Sequence, residues 1–197
     1  MRPRRLILLA IGPVIAACEG SSKEAPVVPE ASSVKLFAEQ QELPFHARIV
    51  WQAVQLPLAA GRCTGSLPPG MSYLWMTQLS GTAIGTHVGE GSFDGSICIY
   101  GQLTDPAAEP PGNGIPAGWR DGLIVLTAAN GDRLHLTVWS TGFTAPPGTP
   151  GWQFTEAGTF VDGGSGRFVH AAGEFTGVVD PVAQTAVYDG SIRFGAK

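Results

Sequence analysis

From Pro44 to Leu56 the chain alternates: Phe45, Ala47, Ile49, Trp51 and Ala53 fall on one side of an extended backbone. This is the period-two signature of a half-buried strand. The pattern returns after Asn130-Gly131, where Leu134, Leu136 and Val138 alternate with Arg133, His135 and Thr137. Residues 72–80, SYLWMTQLS, give a further run, and residues 85–100 a long one interrupted by Gly89, Gly91 and Gly95. Leu123-Ile124-Val125-Leu126 is apolar on both faces, as in a central strand or one lining a filled interior. Trp152, Phe154, Glu156, Gly158 and Phe160 share a face. Runs over 167–180 and 184–194 close the chain, the last with Tyr188, Ile192 and Phe194 on one side. No stretch sustains a helical period. Asn130-Gly131 between two such runs marks a tight hairpin, because both residues tolerate positive φ. The proline- and glycine-dense segments 56–70, 104–119 and 144–151 read as loops.

About eight strands without helices make an all-β chain, and its 27 glycines are about twice the usual share of ~7%. Glycine at that level suits strongly twisted sheets with many corners. Closure of an antiparallel sheet is the one arrangement that removes its edges. The expected fold is a single eight-stranded, up-and-down, calycin-like barrel over residues 34–197.

The first 33 residues do not fit that pattern. Met1-Arg2-Pro3-Arg4-Arg5 is basic, and the apolar run from Leu6 to Ala16 is too short for a helix spanning ~30 Å of hydrocarbon. A basic head and a short apolar run make an export signal. It ends Ile15-Ala16-Ala17-Cys18, which resembles the bacterial lipoprotein signal. That resemblance implies a signal peptide over 1–17 and lipid on Cys18, placing the protein on a membrane of the cell envelope. An ordinary cleaved signal beside a chance cysteine is the alternative. Residues 18–33 are polar and proline-bearing and read as a flexible tether.

Loss of the signal removes three of the 12 basic residues against 16 acidic ones. The mature chain is then near −7, which disfavours nucleic acid, whose phosphates need Lys and Arg. With Cys18 lipidated, Cys63 and Cys98 remain as a pair in an oxidising compartment, where disulfides persist. Two unpaired thiols, with Cys98 buried between Ile97 and Ile99, fit the same sequence.

The stretch GGSGRF, residues 163–168, invites a phosphate-cradle reading. However, Gly164 stands where the lysine of a G-x4-G-K-S loop belongs. Val169 stands where a dinucleotide loop needs glycine. The residues that follow break the helix both motifs require. No cofactor is expected. His46, His87, His135 and His170 show no common zinc spacing, and no serine-hydrolase elbow precedes a helix. What remains are polar groups among apolar neighbours: Glu156 on the Trp152–Phe160 face, Glu174 set with Phe168 and His170, and His87 and Glu90 on the long third run. Charged groups in apolar surroundings acquire shifted pKa values and mark candidate pocket residues.

Leu43-Pro44-Phe45, Gly85-Thr86-His87-Val88-Gly89, Leu126-Thr127-Ala128-Ala129-Asn130-Gly131-Asp132, Gly163 to Phe168 and Ala171-Ala172-Gly173 occur in an order that resembles the exported bacterial proteins of the allene oxide cyclase-like barrel group, related in turn to plant dirigent proteins. The resemblance covers about 44–194. It implies an eight-stranded antiparallel barrel around an apolar cavity. Plant allene oxide cyclases isomerise an unsaturated fatty-acid epoxide there, dirigent proteins steer radical coupling, and related bacterial barrels cyclise polyketides. The shared motifs are turns and corners, so no catalytic residue carries over, and fold analogy licenses no activity. Glu90 also follows Gly89 where a basic residue is common in the group. Two functions are expected from this reading. One is binding of a small apolar ligand, or a structural role, without turnover. The other is cyclisation or isomerisation of an unsaturated hydrophobic substrate held in a reactive shape.

Overall fold

A computed structural model of the chain describes residues 41–104, 114–146 and 148–195. The signal, Cys18 and the tether lie outside the described residues. Within them the alternation becomes eight antiparallel strands: β1 (Leu43–Leu56), β2 (Ser72–Gly85), β3 (Gly89–Leu103), β4 (Gly114–Ala128), β5 (Arg133–Phe143), β6 (Phe154–Val161), β7 (Ala172–Asp180) and β8 (Thr185–Arg193). Each pairs with the next, and β8 returns to β1, so the sheet is a closed up-and-down barrel. The expected fold class is the observed one.

Three boundaries differ from the expectation. The 85–100 run is split by a turn at Thr86–Val88, held by His46 N–H donating to Thr86 Oγ1 at 2.8 Å. The segment 104–119 is only partly loop, because β4 already begins at Gly114. Pro116 has no N–H to give the ladder, and it sits beside a shift in the β3–β4 register between Tyr100 and Gly101, where such a residue is tolerated. Residues 167–171 precede β7 rather than open it. Gly166–Phe168 form a short 3-10 turn that drives Phe168 fully into the core.

The two ends of the barrel are filled differently. At one end Phe45, Phe160 and Phe175 pack ring against ring, with centroids 4.9 Å apart for Phe45–Phe160 and 5.4 Å for Phe160–Phe175. Leu126, Leu134, Ile192 and Phe168 are fully buried around them. Here the hairpin after β4 and the GGSGRF corner clasp one another. Ser165 N–H donates to the Arg133 carbonyl at 2.9 Å, and Arg133 N–H donates to Ser165 Oγ at 3.0 Å. Asp132 Oδ2 accepts from Asn130 Nδ2 at 3.0 Å and from Arg167 N–H at 3.3 Å. Gly166 has φ +58°, and a Cβ there would run into the Asp132 carboxylate. The glycine is therefore required by both conformation and space.

The connection between β1 and β2 folds back on the outer wall. Cys63 and Cys98 form a disulfide with a Cα–Cα distance of 5.4 Å, so the second of the two thiol readings does not hold. Cys98 points outward because its neighbours Ile97 and Ile99 point in. Arg62 Nη2 donates to Ser96 Oγ at 2.9 Å. Asp121 Oδ2 accepts from Tyr73 Oη at 3.0 Å and from Gly65 N–H at 3.2 Å.

Candidate functional site

At the other end the core stops short. The inward positions of β1 past Ile49, of β2 before Leu79 and of β6 before Gly158 surround a cavity of about 290 Å³. This sits at the lower edge of the ~300–1,000 Å³ typical of small-molecule sites. Four of the five tryptophans line it: Trp51, Trp75, Trp119 and Trp152. Ala53, Gln55 and Pro116 are exposed lining residues and mark the mouth. Phe93 and Ile124 are buried and mark the floor.

One carboxyl enters this apolar space. Glu156 is 3% exposed because β6 alternates strictly and Phe154, Glu156, Gly158 and Phe160 must all face in. Its surroundings follow from register. Ser140 on β5 lies opposite Glu156, which lies opposite Gly177 on β7, which lies opposite Tyr188 on β8. A Cβ at Gly177 would strike the Tyr188 ring, so the missing side chain lets that ring lie across β7 toward the carboxyl. On the other side Trp119 Nε1 donates to Glu156 Oε2 at 3.1 Å. Ser140 fixes Trp119 through its backbone: Trp119 N–H donates to Ser140 Oγ at 2.9 Å. Trp119 faces inward because β4 bulges. Between Ser96–Leu123 and Cys98–Arg120 the strand carries an extra residue, with Asp121 at φ +50°.

Among the described residues Glu156 Oε1 is buried without a hydrogen-bond partner. The Tyr188 hydroxyl lies against the same carboxyl and favours its charged form, but outside strict hydrogen-bond geometry. Burial dominates and pushes the Glu156 carboxyl up to about 7, against the opposing pull of Tyr188 and Trp119. The Tyr188 phenol is pushed well above its ordinary value by burial and then by Glu156. At neutral pH the carboxyl is thus present in both forms, and the phenol stays protonated.

The other candidate pocket residues lie elsewhere. Glu174 is on the outer face of β7, because the buried positions there are Phe175, Gly177 and Val179. The expected grouping with Phe168 failed because Phe168 enters the core from the 3-10 turn, ahead of the strand and in a different phase. Glu90 is exposed one residue into β3. His87 sits in the β2–β3 turn at the packed end, at φ +64°. Its Nε2 hydrogen-bonds the Pro44 carbonyl at 3.0 Å, and its ring meets Phe194 edge-on at 5.3 Å. Its work there is to brace the closed end. Trp119 and Tyr188 are the site residues that sequence reading passed over.

No protein-family model, curated protein or solved structure matches the chain. The allene oxide cyclase-like resemblance therefore rests on the five short motifs alone, and two of these are the clasp at the packed end. What this end of the barrel can do has to be read from its own geometry. It offers an open, mostly apolar volume, indole and phenyl rings, and one carboxyl whose Oε1 completes no hydrogen bond among the described residues.

Proposed function

We propose that the protein is a lipid-anchored barrel of the cell envelope that binds a small, largely apolar molecule without turning it over. Glu156 meets the one polar group of the ligand. The observation that carries this is the unpartnered Oε1 in a cavity lined mostly by apolar side chains, with Gln55, Thr77 and Tyr188 the other polar ones. A buried acceptor without a partner costs ~1–3 kcal/mol, a deficit that a ligand donor removes. Anchoring rests on the sequence around Cys18. Native mass spectrometry of the mildly extracted protein tests the binding, with a stoichiometric small-molecule adduct expected. An interior that stays empty across hosts and extraction conditions contradicts it. Labelled palmitate should enter the protein and be lost in Cys18→Ser.

A second reading is a cyclase or isomerase acting on an unsaturated hydrophobic substrate. It is favoured by a carboxyl titrating near 7, the range a general acid–base needs, beside a protonated phenol. Consumption of an unsaturated epoxide that stops in Glu156→Gln would establish it. Unchanged consumption in that variant would remove Glu156 from any such chemistry.

A further inference from the structure

Resting on the cavity-binding reading, we infer that the ligand's polar group is a cation: the barrel is built for an apolar amine, not for a fatty acid or an alcohol. The lining residues decide the sign. Among the described residues that line the cavity, only Glu156 and Tyr188 ionise, and neither carries positive charge. No Lys, Arg or His is there to receive a carboxylate or a phosphate, so a fatty acid would bring its charge to a site that is neutral or negative. The groups facing Glu156 from the packed strands are Trp119 of β4, Ser140 of β5, Gly177 of β7 and Tyr188 of β8. Of these only Tyr188 titrates.

The positive preference comes from two features together. Among the described residues Oε1 is a buried acceptor that completes no hydrogen bond, although the Tyr188 hydroxyl lies against the carboxyl, and an ammonium offers donors only, with no lone pair. The same cavity is lined by side chains that attract cations through their ring faces, indole best of all. Trp119, Phe154 and Trp152 form a contiguous aromatic wall, with ring centroids 4.5 Å apart for Trp119–Phe154 and 5.0 Å for Trp152–Phe154. Trp51 and Trp75 belong to the same lining. An alcohol would satisfy Oε1 as a donor but gain nothing from these rings as a cation does.

The acid's titration then makes a signature. A cation binds the charged carboxyl. With a midpoint at about 7 that form is ~90% populated at pH 8 and ~10% at pH 6. Affinity for an amine should therefore fall about tenfold between pH 8 and pH 6, with proton release at the lower pH.

Isothermal titration of the full-length protein with three probes of matched body tests the inference: 2-phenylethylamine, 2-phenylethanol and 3-phenylpropionate. The amine should bind most tightly at pH 8 and weaken about tenfold at pH 6. The alcohol should bind more weakly and not weaken as pH falls, and the acid should bind least. In Glu156→Gln the amine should lose its advantage over the alcohol. Should that variant not fold, the pH dependence in the unaltered protein decides alone. An alcohol or acid that matches the amine, or an amine affinity indifferent to pH, overturns the inference and leaves cavity binding standing. Binding by none of the three overturns both.

Discussion

Replacing Glu156 with glutamine should flatten the protein's stability between pH 4 and pH 8. The carboxyl titrates at 4.5 when exposed and at about 7 in the barrel, mainly because burial penalises its charge. Below 4.5 it is protonated in both folded and unfolded chains and gives no pH dependence. Between the two values the unfolded chain releases the proton while the folded one keeps it, so stability falls as pH rises. Above 7 both are charged and the loss is complete. Each pKa unit is worth ~1.4 kcal/mol, so the full loss is about 3 kcal/mol, nearly all of it between pH 4 and pH 8. The glutamine variant lacks this titration but keeps every other one, so the difference between the two proteins isolates Glu156. Its unpaired amide shifts the variant's curve by a constant, which does not alter the slope. Urea unfolding at several pH values, extrapolated linearly to water, measures both curves. Their difference should change by about 3 kcal/mol from pH 4 to pH 8, in favour of the variant at high pH. Parallel curves would refute the argument, because they would mean that the carboxyl is solvated.

Three further perturbations probe what holds the site. Removing the disulfide by Cys63→Ser with Cys98→Ser frees a 35-residue separation. The chain-entropy cost is about 4 kcal/mol, or a fall of ~10 °C in Tm for a domain of this size. An unchanged Tm would show that the outer loop adds nothing to the barrel. Gly166→Ala forces an L-residue to φ +58° against Asp132 and should cost on the order of 2 kcal/mol, since the left-handed region alone costs ~1–2. Full stability by thermal unfolding would mean that the clasp with the β4–β5 hairpin is dispensable. Gly177→Ala places a methyl where the Tyr188 ring lies, so in a folded variant the Glu156 midpoint should move up as the carboxyl loses Tyr188 support. A carbon-13 titration of the Glu carboxyls reads that midpoint, and an unmoved value would remove Tyr188 from the site.

Much of the barrel is visible in the sequence because a closed antiparallel sheet imposes one rule on every strand. Phe45, Ala47 and Ile49 on β1, Leu134, Leu136 and Val138 on β5, and Phe154 to Phe160 on β6 all face in as their alternation requires. That rule also placed Glu156 inside. It failed where the backbone departs from strict pleating. Trp119 sits in a segment whose proline and glycine content reads as loop, and only the bulge at Asp121 turns it inward. Alternation counted from Phe168 sets Glu174 on the inner face, but Phe168 belongs to a 3-10 turn ahead of β7 and the phase shifts between them. Register is the other thing local pattern does not carry. Glu156, Gly177 and Tyr188 are far apart in sequence, and only the pairing of β6, β7 and β8 makes them neighbours. The empty volume itself is a property of all eight strands and has no local signature.

The most direct test is uptake of a neutral apolar dye. N-phenyl-1-naphthylamine added to the purified protein should quench indole emission by energy transfer, because four tryptophans line the cavity. Binding should saturate at one dye per chain, and it should be lost in Ala53→Trp, which fills the mouth from an exposed position that the fold does not need buried. Uptake without saturation, or uptake that Ala53→Trp leaves unchanged, would mean that the open end of the barrel is not a binding site.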